Sequence, residues 1–178
     1  MSAVIAIDNN PTRLALARHN AQIYGVADHI EFILADFVSF AKSYLASHAS
    51  PASRDARKID AIFLSPPWGG PSYLDGFTSL LNDEDEEAKT ADAVHGYPPY
   101  SLASINPIHG AELFHLSRKI TKNIAYYLPR NTRMEEVSEL LQEQPAEMVE
   151  VEEAWTGSKL KAITCYFGGL ASGQEVMF

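Results

Sequence analysis

The chain has 178 residues, 46% of them hydrophobic, with 14 Lys and Arg against 23 Asp and Glu for a formal net charge of -9. That is too apolar for a disordered chain, and the acidic balance argues against gripping a long nucleic-acid backbone by charge, though not against holding one nucleotide in a pocket. The single cysteine, Cys165, excludes a disulfide framework and a thiolate zinc cluster, the six histidines show no metal-ligand spacing, and no apolar run reaches the roughly 18 residues of a membrane span.

The start, Met1-Ser2-Ala3-Val4-Ile5-Ala6-Ile7-Asp8, lacks the charged start and apolar core of a signal peptide. It reads as a core strand ending at Asp8, and a soluble intracellular protein is expected. Pro11 suits the first turn of a helix. Leu14, Ala17, Ala21 and Tyr24 then recur at helical spacing until Gly25. Residues 30–34 predict a second strand, leading to Asp36, and 37–45 a second helix. A polar loop follows at 49–58, then a third strand at 60–64 that runs into Ser65-Pro66-Pro67-Trp68-Gly69-Gly70.

Residues 71–106 have no clear periodicity, and a loop of that length is a lid, a binding loop or disorder. Its acidic run, Asp83-Glu84-Asp85-Glu86-Glu87, reads as solvated. A helix is predicted at 109–120, a strand at 123–128 before Pro129-Arg130-Asn131, and a helix at 132–142. Two strands, 148–155 and 160–167, form a hairpin around Thr156-Gly157-Ser158. Strands alternating with helices mean an α/β fold with a parallel sheet, to which the hairpin adds an antiparallel strand. No repeat or linker divides the chain, so a single domain over 1–178 is expected.

Ligands of open α/β sheets sit beyond the carboxyl ends of the strands. Three such ends carry Asp8, Asp36 and Ser65. An acid there accepts hydrogen bonds from a ribose diol or an adenine amine, but a lone strand-ending Asp is more often a cap or turn residue. Together, at successive strand ends, the acids point to an adenosyl ligand. Ser65-Pro66-Pro67-Trp68 is the more specific signal. An exocyclic amine on an aromatic ring is a poor nucleophile because its lone pair is delocalised. The Ser65 hydroxyl and Pro66 carbonyl supply two acceptors for its hydrogens, and the prolines stiffen the backbone that carries them. Trp68 offers a face for the base, and a cationic 7-methylated guanine gains a cation–π term of roughly 0.5–2 kcal/mol there. The plainer alternative is a proline-rich turn beside a core Trp.

Val4-Ile5-Ala6-Ile7-Asp8, Ala17-Arg18-His19-Asn20, Tyr24-Gly25, Glu31-Phe32-Ile33, Asp36-Phe37, Phe63-Leu64-Ser65-Pro66-Pro67-Trp68-Gly69-Gly70-Pro71 and Tyr127-Leu128-Pro129-Arg130-Asn131 occur in this order, and the tail at 159–167 continues the pattern. In these segments the chain resembles the trimethylguanosine synthase family of RNA cap guanosine-N2 methyltransferases. The resemblance implies a Rossmann-like class I methyltransferase sheet, S-adenosylmethionine as cofactor, and two methylations of the 2-amino group of a 7-methylguanosine cap on small nuclear and nucleolar RNAs. It further implies a nuclear, chiefly nucleolar, location with the cytoplasm also open. By position Asp8 would hold the cofactor ribose and Asp36 its adenine, with Phe37 and Ser65 also at the cofactor. Ser65 and Pro66 would orient the amine, Trp68 would stack on the base, and Asn20 and Arg130 would contact the cap phosphates. Without the resemblance, Asn20 reads as a polar residue on a helix face and Arg130 as a surface charge after a strand.

The family pattern includes a first strand and a Gly-rich loop before the segment matching Val4–Asp8, and these 178 residues hold neither. The expectation is a partial methyltransferase domain, inactive or nearly so by itself. Two other readings stay open: an amino-methyltransferase acting on internal nucleobases or a protein amide, and a non-catalytic module that binds the cap. Pro98-Pro99-Tyr100 copies the amine-binding motif superficially but follows no apolar strand, so it reads as loop. Tyr73 and Tyr100 are candidate lid aromatics, Trp155 and Cys165 strand packing residues, and His109 and His115 helix-surface residues.

Overall fold

The computed structural model describes residues 3–49, 58–69, 99–142 and 146–171. The chain divides into two compact units, residues 1–57 and 58–178.

In the first unit, β1 (Val4–Asp8) and β2 (Ile30–Leu34) pair in parallel, with Val4 opposite Ile30 and Asp8 opposite Leu34. Between them, α1 (Pro11–Ile23) starts where the extended Asn10 accepts from the backbone N–H groups of Thr12 and Arg13. Pro11 opens the first turn, where its missing N–H would have had no helical partner. Asp36 starts α2 (Phe37–His48) in the same way, its carboxylate accepting from the Ser39 N–H at 3.2 Å. Among the described residues of this unit only Ala21 and Ala41 are buried, while Val4, Ile5, Leu16, Ile23, Tyr24 and Leu34 stay exposed. Ile7, Phe32, Ile33, Phe37 and Phe40 are half-buried and supply most of the apolar area that this unit removes from water.

The second unit is built on a four-stranded sheet in the order β3-β4-β6-β5. β3 (Ile62–Leu64) runs parallel to β4 (Ile124–Pro129). β6 (Lys159–Phe167) runs antiparallel to β4 on one side and to β5 (Glu150–Thr156) on the other. β4 lies inside the sheet, and its apolar sequence is buried at every position except the half-buried Tyr127, as a strand covered on both faces requires. α3 (Gly110–Arg118) lays Phe114 on the sheet, 4.6 Å from the Phe167 ring and 6.3 Å from that of Tyr126. Arg118, near the end of α3, donates to both oxygens of Glu147, whose carboxylate also accepts from the Gly168 N–H. Among the described residues β1 pairs only with β2, and β3 only with β4. No described helix is long and apolar enough to cross a membrane.

The third strand and the helix after the long loop are shorter than the sequence pattern, at Ile62–Leu64 and Gly110–Arg118, and larger differences lie elsewhere. The last helix, α4, covers only Met134–Glu139 rather than 132–142. Before it, the backbone N–H and hydroxyl of Thr132 both bond to the Pro129 carbonyl and close a turn; after it, residues 140–142 continue in tighter turns. Trp155, expected to pack, is 52% exposed. It lies on the edge strand β5 where the register with β6 shifts, and its indole N–H donates to Glu153. Of the long loop at 71–106, residues 71–98, with Tyr73 and the acidic run, lie outside the described residues. In the remainder, Tyr100 is buried and bridges to Thr132, and Leu102–Ser104 forms a short 3-10 turn.

Candidate active site

The first unit brings Asp8 and Asp36 to the same end of its two strands, since the Ala35 N–H donates to the Asp8 carbonyl at 3.2 Å. Asp8 is half-buried; one carboxylate oxygen accepts from the Asn10 N–H at 2.7 Å and the other faces Arg13 Nε at 3.4 Å. Asp36 spends one oxygen on capping α2. Both acids therefore do the local work of turn and cap residues. A carboxylate offers about four acceptor positions, so capping leaves room for ligand hydroxyl or amine donors. Phe37, half-buried, opens α2 directly after Asp36. Asn20 is exposed on α1. A cleft of about 400 Å³ in this unit is lined by Arg18, Gln22, Asp28 and Ile30, among others. Its lining includes Ile30 at the amino end of β2 and neither Asp8 nor Asp36.

In the second unit, Ser65 follows β3 directly, is exposed, and has no hydrogen bond among the described residues. Its hydroxyl is thus available to accept from an amine. Pro66 is half-buried, and a proline carbonyl can only accept. Trp68 is half-buried; its ring lies against Tyr127 with centroids 4.9 Å apart, and its indole N–H donates to the Tyr127 carbonyl at 3.3 Å. Gly69, at φ 94, turns the chain in a conformation that side-chain-bearing residues rarely adopt.

β3 and β4 are parallel neighbours, so Trp68 and Arg130 leave the same end of the sheet. Arg130 donates from one guanidinium nitrogen to the Leu160 carbonyl at 3.0 Å. A guanidinium presents its N–H donors in a planar fork whose geometry suits phosphate oxygens. The unit thus offers amine acceptors, an aromatic platform and a cation at one sheet end. Among the described residues no group of three or more His, Cys, Asp and Glu could hold a metal ion.

Tyr127 was visible in the sequence only as part of the Tyr127-Leu128-Pro129-Arg130-Asn131 segment, whereas Tyr100, read there as a candidate lid aromatic, is buried with its hydroxyl at the Trp68 carbonyl.

A family model described as RNA cap guanine-N2 methyltransferase matches residues 1–94 and 95–170. The chain belongs to the RNA cap guanine-N2 methyltransferase family. It is 32% identical over 136 residues to the trimethylguanosine synthase of Schizosaccharomyces pombe, a match covering 76% of this chain and 45% of that protein. The chain thus spans just under half the length of this curated relative. Among solved structures, a delta-N METTL16 MTase domain is similar with a TM-score of 0.47 at 14% identity, over 93% of this chain and 62% of that one. A human methyltransferase 10 domain containing protein is similar with the same TM-score and identity, over 93% of this chain and 60% of its own. The chain combines parallel α/β pairing with antiparallel strands at its end.

Proposed function

We propose that this chain forms the amine- and cap-recognising part of an enzyme that methylates the 2-amino group of a 7-methylguanosine cap. In this reading S-adenosylmethionine is the methyl donor and the product is the 2,2,7-trimethylguanosine cap of small nuclear and nucleolar RNAs. The observation that carries it is Trp68, pinned through its indole N–H to the Tyr127 carbonyl directly after Ser65 and Pro66, at the sheet end where Arg130 also emerges. Family membership supports the cap guanine as substrate and, with it, the cofactor.

S-adenosylmethionine supplies, when bound, an electrophilic methyl on a sulfonium. The part-free carboxylates of Asp8 and Asp36 suit its ribose hydroxyls and adenine amine, with Phe37 beside them. Ser65 Oγ and the Pro66 carbonyl accept the two amine hydrogens and so aim the nitrogen lone pair. Holding a weak nucleophile in a near-attack geometry can supply a large part of the rate gain of such a site. Trp68 stacks on the cationic base and Arg130 meets the cap phosphates; a phosphate role for Asn20 rests on the resemblance alone. Each transfer would form an N–C bond as the sulfonium gives up its methyl, with one amine proton released to solvent; after the first the amine keeps one hydrogen, and either acceptor can hold it for the second.

The test is a methyl-transfer assay on a longer version of the chain that adds the first strand and Gly-rich loop of the family pattern, with 7-methylguanosine diphosphate, guanosine diphosphate and an unmethylated cap as acceptors, read by product mass. Transfer of two methyls to the 7-methylated compound alone is expected. Preference for an unmethylated or internal base would replace this reading with the broader amino-methyltransferase one. The nuclear location is proposed on the resemblance alone and is checked by imaging the tagged protein.

A further inference from the structure

Trp68 is held from two directions. Its indole N–H meets the Tyr127 carbonyl on β4, and its own carbonyl accepts from the buried hydroxyl of Tyr100 at 3.4 Å. Tyr100 is itself fastened to the turn that carries Arg130. Its backbone N–H donates to the Asn131 carbonyl at 2.7 Å, and its carbonyl accepts from the Arg133 N–H at 3.0 Å, a parallel bridge around Thr132. The next residues are clamped as well, since Ser101 Oγ and the Leu102 N–H both donate to one oxygen of Glu136 on α4, at 3.0 and 2.7 Å. A strand-like segment from far along the chain therefore ties together the turns after β3 and β4. Its motif resembles an amine site in sequence, but the structure uses it as a brace.

We propose that Tyr100 is a positioning residue that couples the Trp68 platform to the Arg130 turn and so sets affinity for the cap. The proposal rests on the reading of Trp68 as the base-stacking residue. A ring already held in place loses less freedom when a base stacks on it, so the brace acts through preorganisation rather than contact with the ligand. The hydroxyl contact is long, and the effect of removing it is correspondingly modest.

The chain has two tryptophans, so Trp155→Phe, which changes an exposed edge-strand residue, leaves Trp68 as sole reporter. In that background, Tyr100→Phe removes the hydroxyl and keeps the ring. Expected are stronger acrylamide quenching of Trp68 in the ligand-free chain and a rise of about threefold in the dissociation constant for 7-methylguanosine diphosphate, at the low end for one lost hydrogen bond. Glu136→Ala, which releases the clamp from outside, should shift both readouts in the same direction. If Tyr100→Phe matches its parent in both readouts, ring packing alone accounts for Tyr100 and the proposal is overturned. If the parent binds no 7-methylguanosine diphosphate, the cap reading fails, and Trp68 quenching still decides whether the brace exists.

Discussion

Replacing Trp68 by Ala separates the platform role from a merely structural one. The substitution removes a half-buried indole that packs on Tyr127 at 4.9 Å and donates to its carbonyl at 3.3 Å. The fold loses one long hydrogen bond, at most about 0.5–1.5 kcal/mol, together with the packed part of the ring. Cap binding loses base stacking, worth about 1–3 kcal/mol and including any cation–π attraction to the 7-methylated base. At roughly 1.4 kcal/mol per tenfold, that is a rise of about 5- to 150-fold in the dissociation constant for 7-methylguanosine diphosphate. Trp68 is proposed to touch the base and not the cofactor, so S-adenosylmethionine affinity, read in a longer chain that carries the family's Gly-rich loop, should change by less than about twofold, within about 0.4 kcal/mol. Calorimetric titration of parent and variant with each ligand, beside a thermal melt, reads all three quantities. Trp68→Phe keeps a ring face but not the N–H, and should fall between parent and Ala. Equal loss of both ligands would indicate a folding defect, and unchanged cap affinity would remove Trp68 from the site.

Asp8→Asn keeps the shape but turns one acceptor into a donor, so S-adenosylmethionine should bind more weakly while 7-methylguanosine diphosphate does not; calorimetry showing full cofactor affinity would rule out the ribose contact. The Arg118–Glu147 pair, with side chains only 10% and 16% exposed, should make Glu147→Gln cost about 1.5–3 kcal/mol at neutral pH in a denaturant melt. The hydrogen bonds from Arg118 hold the Glu147 carboxyl below its ordinary 4.5, so its stabilisation is present above that pH and is lost as the pH falls through the depressed value. The gap between parent and Glu147→Gln should therefore narrow in acid. Burial pushes the Cys165 thiol up to about 12 from 9.0, so the native chain should resist a thiol reagent at pH 8 and react once unfolded. Because the folded value is the higher one, the thiol's contribution is intact below pH 9 and falls away as the pH rises from 9.0 toward about 12.

Local pattern was enough to read the alternation of strands and helices, the start of α1 at Pro11, the Asp36 cap, and Ser65 at the end of an apolar strand. Each depends on residues a few positions apart, where spacing and backbone preference act directly. The sheet order β3-β4-β6-β5 places β6 between strands that are not its neighbours on both sides in sequence, and no periodicity encodes that. The exposure of Trp155 followed from β5 being the edge, since an edge strand has covered and uncovered sides that its own composition does not reveal.

The resemblance of the motif segments supplied the roles proposed for Asn20 and Arg130, which composition and spacing alone would have left as ordinary surface residues. By itself, then, the sequence determined the element types, the motif and the family. Only the tertiary structure decided what holds Trp68: a carbonyl 59 residues along the chain and a tyrosine hydroxyl 32 residues along. Such contacts depend on the register of β3 against β4 and on the path of the segment at Tyr100, which fold together only when distant apolar faces are buried against each other.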